Sequence, residues 1–266
     1  MIGTTTSHKP YPPCQTTLPG FQLATGNYLA RFATRPEELD QILKLRYEVF
    51  NLELDEGLDA SHKTGRDEDE YDAGCHHLMI LTKDSGNIIG TYRMQTKDMA
   101  EQYQGFYSST EFDLSGFHPN VLEQSIELGR ACVAKDHRNG RVLYLLWRGC
   151  IKYMVENQKR YFFGCSSLTS QDPSEGIRVM NYLQTHNYVH PTLQITPQPG
   201  FECYENPVDI DDPEQVHIPT LMRLYLNYGV IVCSKPAIDR LFKMIDYLVL
   251  FDAENVDPRT RKVLFK

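Results

Sequence analysis

The sequence predicts one mixed α/β domain over residues 27–266. Short apolar runs alternate with amphipathic helical segments along this range, and residues 125–168 present a strand, a helix and a strand, the order typical of a parallel crossover. The chain has 266 residues, 41% of them hydrophobic, which is enough to bury a substantial core. Residues 1–26 are rich in Thr, Pro and Gly without periodicity, so we expect a flexible N-terminal arm.

The elements of the first half follow from the spacing of apolar residues. Pro36 begins an amphipathic helix predicted over about residues 36–51, and the polar face of this helix carries Arg46. The runs "HHLMILT" and "NIIGTYRMQT" flank the turn "KDSGN" and predict a β-hairpin.

The second half predicts two strand–helix–strand units. In the first unit, the strand "SIELGRACVA" precedes a helix over about residues 140–157 and the buried strand "RYFFGCSSL", so the helix begins beside the carboxyl end of the first strand. The helices "PSEGIRVMNYLQTH" and "PTLMRLYLNYG" follow, the latter ending at Gly229. The second unit comprises the strand "VIVCS", the helix "KPAIDRLFKMI" with Ser234 as its N-cap, and the strand "DYLVLFD".

Charge and cysteine content exclude several classes of function. A net charge of −8 argues against nucleic acid as a partner, because phosphate binding relies on surplus Lys and Arg. No apolar run reaches the ~20 residues that span a bilayer, so we expect a cytoplasmic protein. Seven scattered cysteines without a CxxC pair favour free thiols, and the adjacent residues "CHH" at 75–77 would point to opposite faces of a strand, so no metal site is expected.

Three charged residues, Arg93, Glu127 and Arg130, stand in otherwise apolar strands, where an unpaired charge is costly. Two interpretations are open. Either they belong to a structural ion-pair network, in which Arg46 and Arg93 neutralise Asp69, Asp72 and Glu127, or one carboxylate is a general base while the arginines hold acidic parts of the reactants. In a regular strand Glu127 and Arg130 point to opposite faces, and a bulge at Gly129 would change that.

The segment 52–74 contains nine acids against two bases and little apolar periodicity. Charge runs of this kind usually form solvated loops. Long loops in compact domains are also often functional lids, so a role at the site is the second interpretation.

The motifs "LRYEVF", "DEDEYD", "IIGTYRM", "ELGRACV" and "YFFGCSSL", in this order, resemble the GNAT-type N-acyltransferases that make ornithine lipids and long-chain N-acyl amino acids, a group once called haemolysin-like. The resemblance covers about residues 28–255, and a more distant similarity extends to acyl-homoserine-lactone synthases. It implies a GNAT-like fold: a mixed, mostly antiparallel sheet with a splayed parallel strand pair, flanked by helices, plus a C-terminal extension.

The resemblance also implies an activity. A long fatty acyl chain, with or without a 3-hydroxyl group, would pass from an acyl carrier protein thioester to the amine of an amino acid, with ornithine the first expectation. The alternatives are glycine, tyrosine or another amino acid, a signal synthase of the homoserine-lactone type, or a non-catalytic acyl or carrier-protein binder. A lipid product would allow transient contact with a membrane surface.

The resemblance implies a set of site residues. Glu127, Arg93 and Arg130 would be catalytic, with Glu127 taking the proton of the amine. Backbone amides near residues 131–133 would meet the oxyanion. A covalent acyl-cysteine at Cys132 or Cys165 is the alternative, which we disfavour because neither has a recognisable His partner. The remaining substrate-binding residues would be Arg46, Asp69, Asp72, Ala131, Cys132, Val133 and Ser166.

The segment "DHRNGRVLY" departs from the Gly-rich loop that holds the pyrophosphate of CoA in related acetyltransferases. The single phosphate of 4′-phosphopantetheine needs no such cradle, which favours an acyl carrier protein as donor and no bound cofactor. Residues 135–160 hold seven Lys and Arg against two acids, a patch suited to an acidic carrier protein or, alternatively, an ordinary solvated helix face. The predicted donor-binding residues are Lys135, Arg138, Gly140 and Arg141.

Overall fold

The computed structural model describes residues 11–203 and 216–265. Its strands in this part of the chain are β1 Leu23–Thr25, β2 Tyr28–Phe32, β3 His76–Thr82, β4 Ile88–Thr96, β5 Ser125–Val133, β6 Tyr161–Leu168, β7 Ile231–Val232, β8 Ala237–Asp239 and β9 Met244–Asp252. They form one sheet in the order β1-β2-β3-β4-β5-β6-β9-β7, with β8 paired to β9. The helices are α1 Pro36–Tyr47, α2 Lys97–Gln102, α3 Pro119–Glu123, α4 Gly140–Glu156, α5 Pro173–Thr185, α6 Thr220–Asn227 and α7 Pro258–Leu264.

Helices cover both faces of the sheet. Along β3, Leu78 and Ile80 join the main core with α4, whereas Met79 packs with Ile42 of α1. Because successive strand residues point to opposite faces, α1 and α4 lie on opposite sides of the sheet. The same alternation puts Arg93 of β4 on the α1 side.

The parallel pair β5 and β6 separates partway along its length. The two strands pair only from Ser125 to Glu127, against Tyr161–Phe163. At the next position the strands approach so closely that a Cβ on Gly164 would lie 2.2 Å from the carbonyl oxygen of Leu128. Glycine is therefore required where the pairing ends, and beyond it a gap opens between the carboxyl halves of both strands.

Most predicted elements are confirmed. The hairpin, the crossover with α4, and helices α1, α5 and α6 stand within a few residues of their predicted bounds, and Gly229 follows α6 with φ 86°. The first helix ends at Tyr47 and continues as a π-helical segment, Glu48–Glu53.

The helix predicted over "KPAIDRLFKMI" is wrong. Residues Ala237–Asp239 form β8, which pairs antiparallel with β9 across a tight turn. Asp239 Oδ1 accepts hydrogen bonds from the backbone N–H groups of Leu241 and Phe242 and holds that turn. Ser234, the predicted N-cap, instead accepts from the N–H of Leu248 in β9.

The flexible arm predicted over residues 1–26 is wrong for its second part, while residues 1–10 lie outside the described residues. Pro12 and Pro13 are buried, and the imidazole Nε2 of His76 lies 2.7 Å from the Pro13 carbonyl oxygen. Strand β1 then adds to the sheet edge. Within the described ranges no helix is both long and apolar enough to cross a bilayer.

Candidate active site

A cavity of ≈ 260 Å³ occupies the gap between the diverging strands β5 and β6. Residues Leu128 to Ala131 of β5 form one wall and residues Cys165 to Ser167 of β6 the other. Phe50, Tyr107 and Met222 close it from three further segments. Two guanidinium groups, Arg93 and Arg130, and two carboxylates, Glu56 and Asp246, line this space, and they are called its guanidinium end and its carboxylate end.

A bulge in β5 shapes the cavity. Arg93 pairs with Gly129, but Thr91 pairs with Cys132, so β5 has two residues where β4 has one. The extra residue stands at Arg130–Ala131, one position after the bulge considered from the sequence, and Arg130 has φ 49°. Such a φ is strained for a non-glycine residue and is frequent at functional sites. The bulge brings Arg130 to the α1 side of the sheet, the side that Glu127 also faces.

An aspartate and two aromatic rings fix the position of the Arg130 side chain. Its Nε donates to Asp67 Oδ1 at 3.1 Å, and its Nη2 contacts Asp67 Oδ2. The guanidinium lies 4.0 Å from the ring centroid of Phe50 and 4.6 Å from that of Phe242. Its Nη1 donates no hydrogen bond within the described residues, so the cavity face of Arg130 keeps a donor for an anionic group.

Arg46 and Arg93 join Arg130 in a buried ion-pair cluster. Arg46, 1% exposed, contacts Asp67 at 2.7 Å and Asp72 at 2.5 Å, and Arg93 contacts Asp72 at 2.9 Å. Burial alone would raise the pKa of Asp72, but Arg46 and Arg93 lower it below its ordinary value. Asp69 also pairs with Arg93, at 2.5 Å. Arg46, Asp69 and Asp72 thus lie behind the cavity wall, and direct substrate contact by them stays a prediction.

Glu127 lies under a neighbouring turn rather than in the cavity wall. Its Oε1 accepts from the Ser108 N–H at 2.7 Å, and its Oε2 accepts from the Tyr107 N–H at 3.0 Å and from Gln95 Nε2 at 2.6 Å. These bonds fix the position of Tyr107, which does line the cavity. The role of Glu127 as base stays a prediction.

The carboxylate end of the cavity was missed by sequence reasoning. Glu56 and Asp246 line the cavity, and Glu111 lies behind them, 0% exposed. Burial, with the charge of Asp239 nearby, raises the pKa of Asp246 to about 6. Burial also raises the pKa of Glu56, and burial with Asp246 raises that of Glu111. These acids come from separated segments, so no sequence spacing could have indicated them.

Other predicted substrate residues divide between wall and core. Ala131 and Ser166 line the cavity, whereas Cys132 and Val133 are buried in the core outside its wall. Burial raises the pKa of the Cys132 thiol to about 12 and that of Cys165 well above its ordinary value. Because a thiolate is the nucleophilic form, neither thiol is poised for covalent transfer.

The predicted donor region surrounds the start of α4. Asn139 Oδ1 accepts hydrogen bonds from the N–H groups of Arg141 and Val142 and caps the helix. Arg138 makes a two-point ion pair with Glu53, at 2.7 Å for each bond. Lys135, Gly140 and Arg141 are exposed. Of the seven cations in residues 135–160, Arg138, Lys152 and Arg160 form ion pairs with described acids, which reduces the free positive charge of the patch.

Comparison with known proteins matches this geometry to a family. The acetyltransferase (GNAT) domain profile matches residues 45–148. An L-ornithine N(alpha)-acyltransferase from Rhizobium meliloti (strain 1021) is 30% identical over 88% of this chain and 82% of the relative, and one from Agrobacterium fabrum (strain C58) is 29% identical over 88% and 84%. The solved AHL synthase LasI aligns with a TM-score of 0.48 and 11% identity, covering 91% of this chain and 96% of that one, a likeness too remote to bear on activity.

The splayed parallel pair and the cavity within it define the class: this is an acyltransferase of the GNAT fold. The chain belongs to the family of L-ornithine N(alpha)-acyltransferases. The predicted fold class, enzyme class and family are thereby confirmed.

Proposed function

We propose that this enzyme transfers a long fatty acyl chain from an acyl carrier protein thioester to the α-amine of ornithine. The observation that carries the proposal is the cavity in the β5–β6 gap, whose lining holds two guanidinium groups and two carboxylates. An amino acid with a cationic side chain has the complementary charges. The names of the curated relatives support ornithine as acceptor.

The reaction joins the amine nitrogen to the thioester carbonyl carbon and breaks the carbon–sulfur bond. The attacking amine must be neutral, so its proton passes to a carboxylate, and the thiol of the donor leaves. Glu127 is our proposed base; Glu56 is the competing candidate, because it lines the cavity and burial raises its pKa, which makes its carboxylate a stronger proton acceptor. Backbone amides at the β5 bulge, near residues 131–133, would stabilise the oxyanion.

Arg93 and Arg130 would position the acceptor carboxylate. Arg130 keeps Nη1 directed away from Asp67, and Arg93 uses only Nη1 for Asp69 and Asp72. Each guanidinium therefore has donors left after its ion pairs are made. The stacking of Arg130 between Phe50 and Phe242 keeps such a donor fixed in direction.

Lipid mass spectrometry of a bacterium that expresses the chain tests the acceptor and the acyl chain together. We expect a new N-acyl ornithine whose mass reports chain length and the presence of a 3-hydroxyl group. An N-acyl glycine or N-acyl tyrosine instead would overturn ornithine as acceptor. A folded protein that gives no new amide would favour a non-catalytic binding protein.

The carrier-protein donor is tested with purified enzyme and either acyl carrier protein or CoA thioesters. Asn139 already caps the first amides of α4, which supports a donor that needs no pyrophosphate cradle there. Replacing Lys135 and Arg141 by Glu should raise the KM for acyl carrier protein by about tenfold or more, because a steering patch is reversed. Lys63→Glu is the matched control at an exposed site elsewhere. An unchanged KM in the double variant would remove this docking face; faster turnover with acyl-CoA would overturn the donor.

A further inference from the structure

The acid end of the cavity holds four buried carboxylates without a counter-ion. Glu56, Asp246, Asp239 and Glu111 are 6%, 2%, 3% and 0% exposed. Within residues 11–203 and 216–265 no Lys, Arg or His forms an ion pair with any of them. Buried like charges repel, and a buried carboxylate without a cation is costly. The guanidinium of Arg130 opposes the effect of burial on the pKa of Glu56, so positive charge is missing at Glu111 and Asp246.

Hydrogen bonding within this cluster is incomplete at one pair. Asp239 is satisfied, since its oxygens accept from two backbone N–H groups and from the Tyr107 hydroxyl. Asp246 Oδ1 accepts from the Ser167 hydroxyl at 2.6 Å. Glu111 Oε2, by contrast, is buried and has no partner among the described residues. Glu111 and Asp246 are close enough to hydrogen-bond to each other when one of them is protonated, so a cation that displaces this proton gains two carboxylate acceptors.

The geometry of this pair suits a small cation that donates hydrogen bonds. A carboxylate oxygen of Glu111, one of Asp246 and the Cys165 sulfur all lie within 4.8 Å of one another. Around an ammonium nitrogen with hydrogen bonds of ~2.8 Å, tetrahedral directions separate the acceptors by roughly 4.6 Å. Asp246 and Cys165 line the cavity, so a ligand within it reaches this position.

We propose that Asp246 and Glu111 bind the side-chain ammonium of a diamino-acid acceptor. They would thereby select a basic amino acid and determine which of its two amines is acylated. With the side-chain ammonium held there and the carboxylate at Arg93 and Arg130, the α-amine is the one left free near the β5 bulge. This inference rests on the proposed function and deepens it.

The test compares L-ornithine with L-norvaline, which has the same carbon chain but no side-chain amine. We expect the wild-type enzyme to prefer ornithine by about 100-fold or more in kcat/KM. Asp246→Asn and Glu111→Gln should each reduce that preference to less than tenfold through a higher KM for ornithine, with norvaline acylation little changed. Asp59→Asn, at a side chain 87% exposed, is the matched control and should keep the wild-type preference.

The outcomes separate the inference from the function on which it rests. If the wild-type enzyme acylates neither substrate, the proposed function fails. If it acylates both equally well, or if Asp246→Asn lowers kcat for both equally, the function stands and the inference is overturned. A preference that chelators abolish and a divalent metal ion restores would also overturn it, because the pair would then bind a metal.

Two further readouts keep the inference testable if the variants do not fold. Tandem mass spectrometry of the wild-type product should show acylation at the α-amine alone, and mixed α- and δ-products would contradict the proposal. Ornithine should raise the Tm of the wild-type enzyme more than norvaline does at the same concentration, because only ornithine carries the side-chain ammonium. Equal shifts with both amino acids would place the ammonium elsewhere.

Discussion

The two ends of the cavity hold comparable numbers of buried charges but differ in their balance. The guanidinium end is neutral as a whole, because three arginines face three aspartates in direct contact. The carboxylate end contains acids alone. The first set is Arg46, Arg93, Arg130, Asp67, Asp69 and Asp72; the second is Glu56, Glu111, Asp239 and Asp246.

This difference distinguishes a charge cluster that stabilises the fold from one that can bind a charged ligand. In a balanced buried cluster, each charge depends on its neighbours, so removing one leaves another unpaired and destabilises the fold. In an unbalanced cluster, the charges already oppose each other, so neutralising one relieves repulsion. A site of the second kind lowers the stability of the empty protein and gains from a ligand of opposite charge.

Removing one charge from the balanced guanidinium end should lower the free energy of unfolding more than the other substitutions do. Asp72 accepts from Arg46, from Arg93 and from the N–H of Asp69. Asp72→Asn leaves two buried guanidinium groups short of an anion, and we expect a loss of about 3 to 5 kcal/mol in the free energy of unfolding, measured by urea denaturation. Asp40→Asn is the control: this partly exposed carboxylate pairs with Lys44 and Arg66, and its loss should cost less than about 1 kcal/mol. Equal losses in the two variants would contradict the distinction.

The variant Glu127→Gln tests whether Glu127 is the base of the reaction. Glu127→Gln should lower kcat by about 10²- to 10⁴-fold if Glu127 takes the amine proton. Because the amide would face an N–H donor of Tyr107 or Ser108, some loss of stability should accompany this change. Glu56→Gln is the paired variant: if it, rather than Glu127→Gln, lowers kcat to this extent, Glu56 is the base, and a near-normal rate in Glu127→Gln would refute its role outright.

The strands β4 and β5 and their buried charges could be predicted, because the apolar run and the charged residues within it lie in one short stretch of sequence. Arg93, Glu127 and Arg130 stand out in apolar strands, and the idea that a bulge would reconcile Glu127 with Arg130 required only period-two geometry. Of their partners, Asp69 and Asp72 could be named as acids of the charged segment, and both pair with Arg93. Asp67 was missed, because it lies in the same segment without periodicity, whose path is set by tertiary ion pairs.

The carboxylate end could not be predicted from the sequence for a related reason. Glu56, Glu111 and Asp246 come from three distant segments, and Asp246 begins a correctly predicted strand that directly follows a segment wrongly predicted as a helix. There Ile238, Leu241, Phe242 and Ile245 have helical spacing, yet pairing of β8 with β9 places them on a hairpin. Tertiary pairing overrode local periodicity, so the sequence did not show that Asp246 faces the cavity.

Neutralising the unbalanced end should have a smaller effect of opposite sign. The folded-state pKa of Asp246, about 6, exceeds the ordinary 3.8 because burial and the nearby acids Asp239 and Glu56 raise it more than the hydrogen bonds of Ser167 and Glu111 lower it. The folded protein therefore binds this proton more tightly than the unfolded chain. Wild-type stability relative to Asp246→Asn should be highest below about pH 4 and fall as the pH rises through about 6, by about 3 kcal/mol in total.

Urea denaturation of both proteins from pH 3 to pH 8, without ornithine, measures this difference. At pH 8 Asp246→Asn should be the more stable protein, whereas Asp59→Asn should follow the wild type at every pH. Saturating ornithine should narrow the gap, because the ligand stabilises only the protein that binds its ammonium. An Asp246→Asn protein that is less stable than the wild type at pH 8 would contradict this prediction. It would show that a neighbouring cation stabilises the ionised carboxylate of Asp246, as in the balanced cluster.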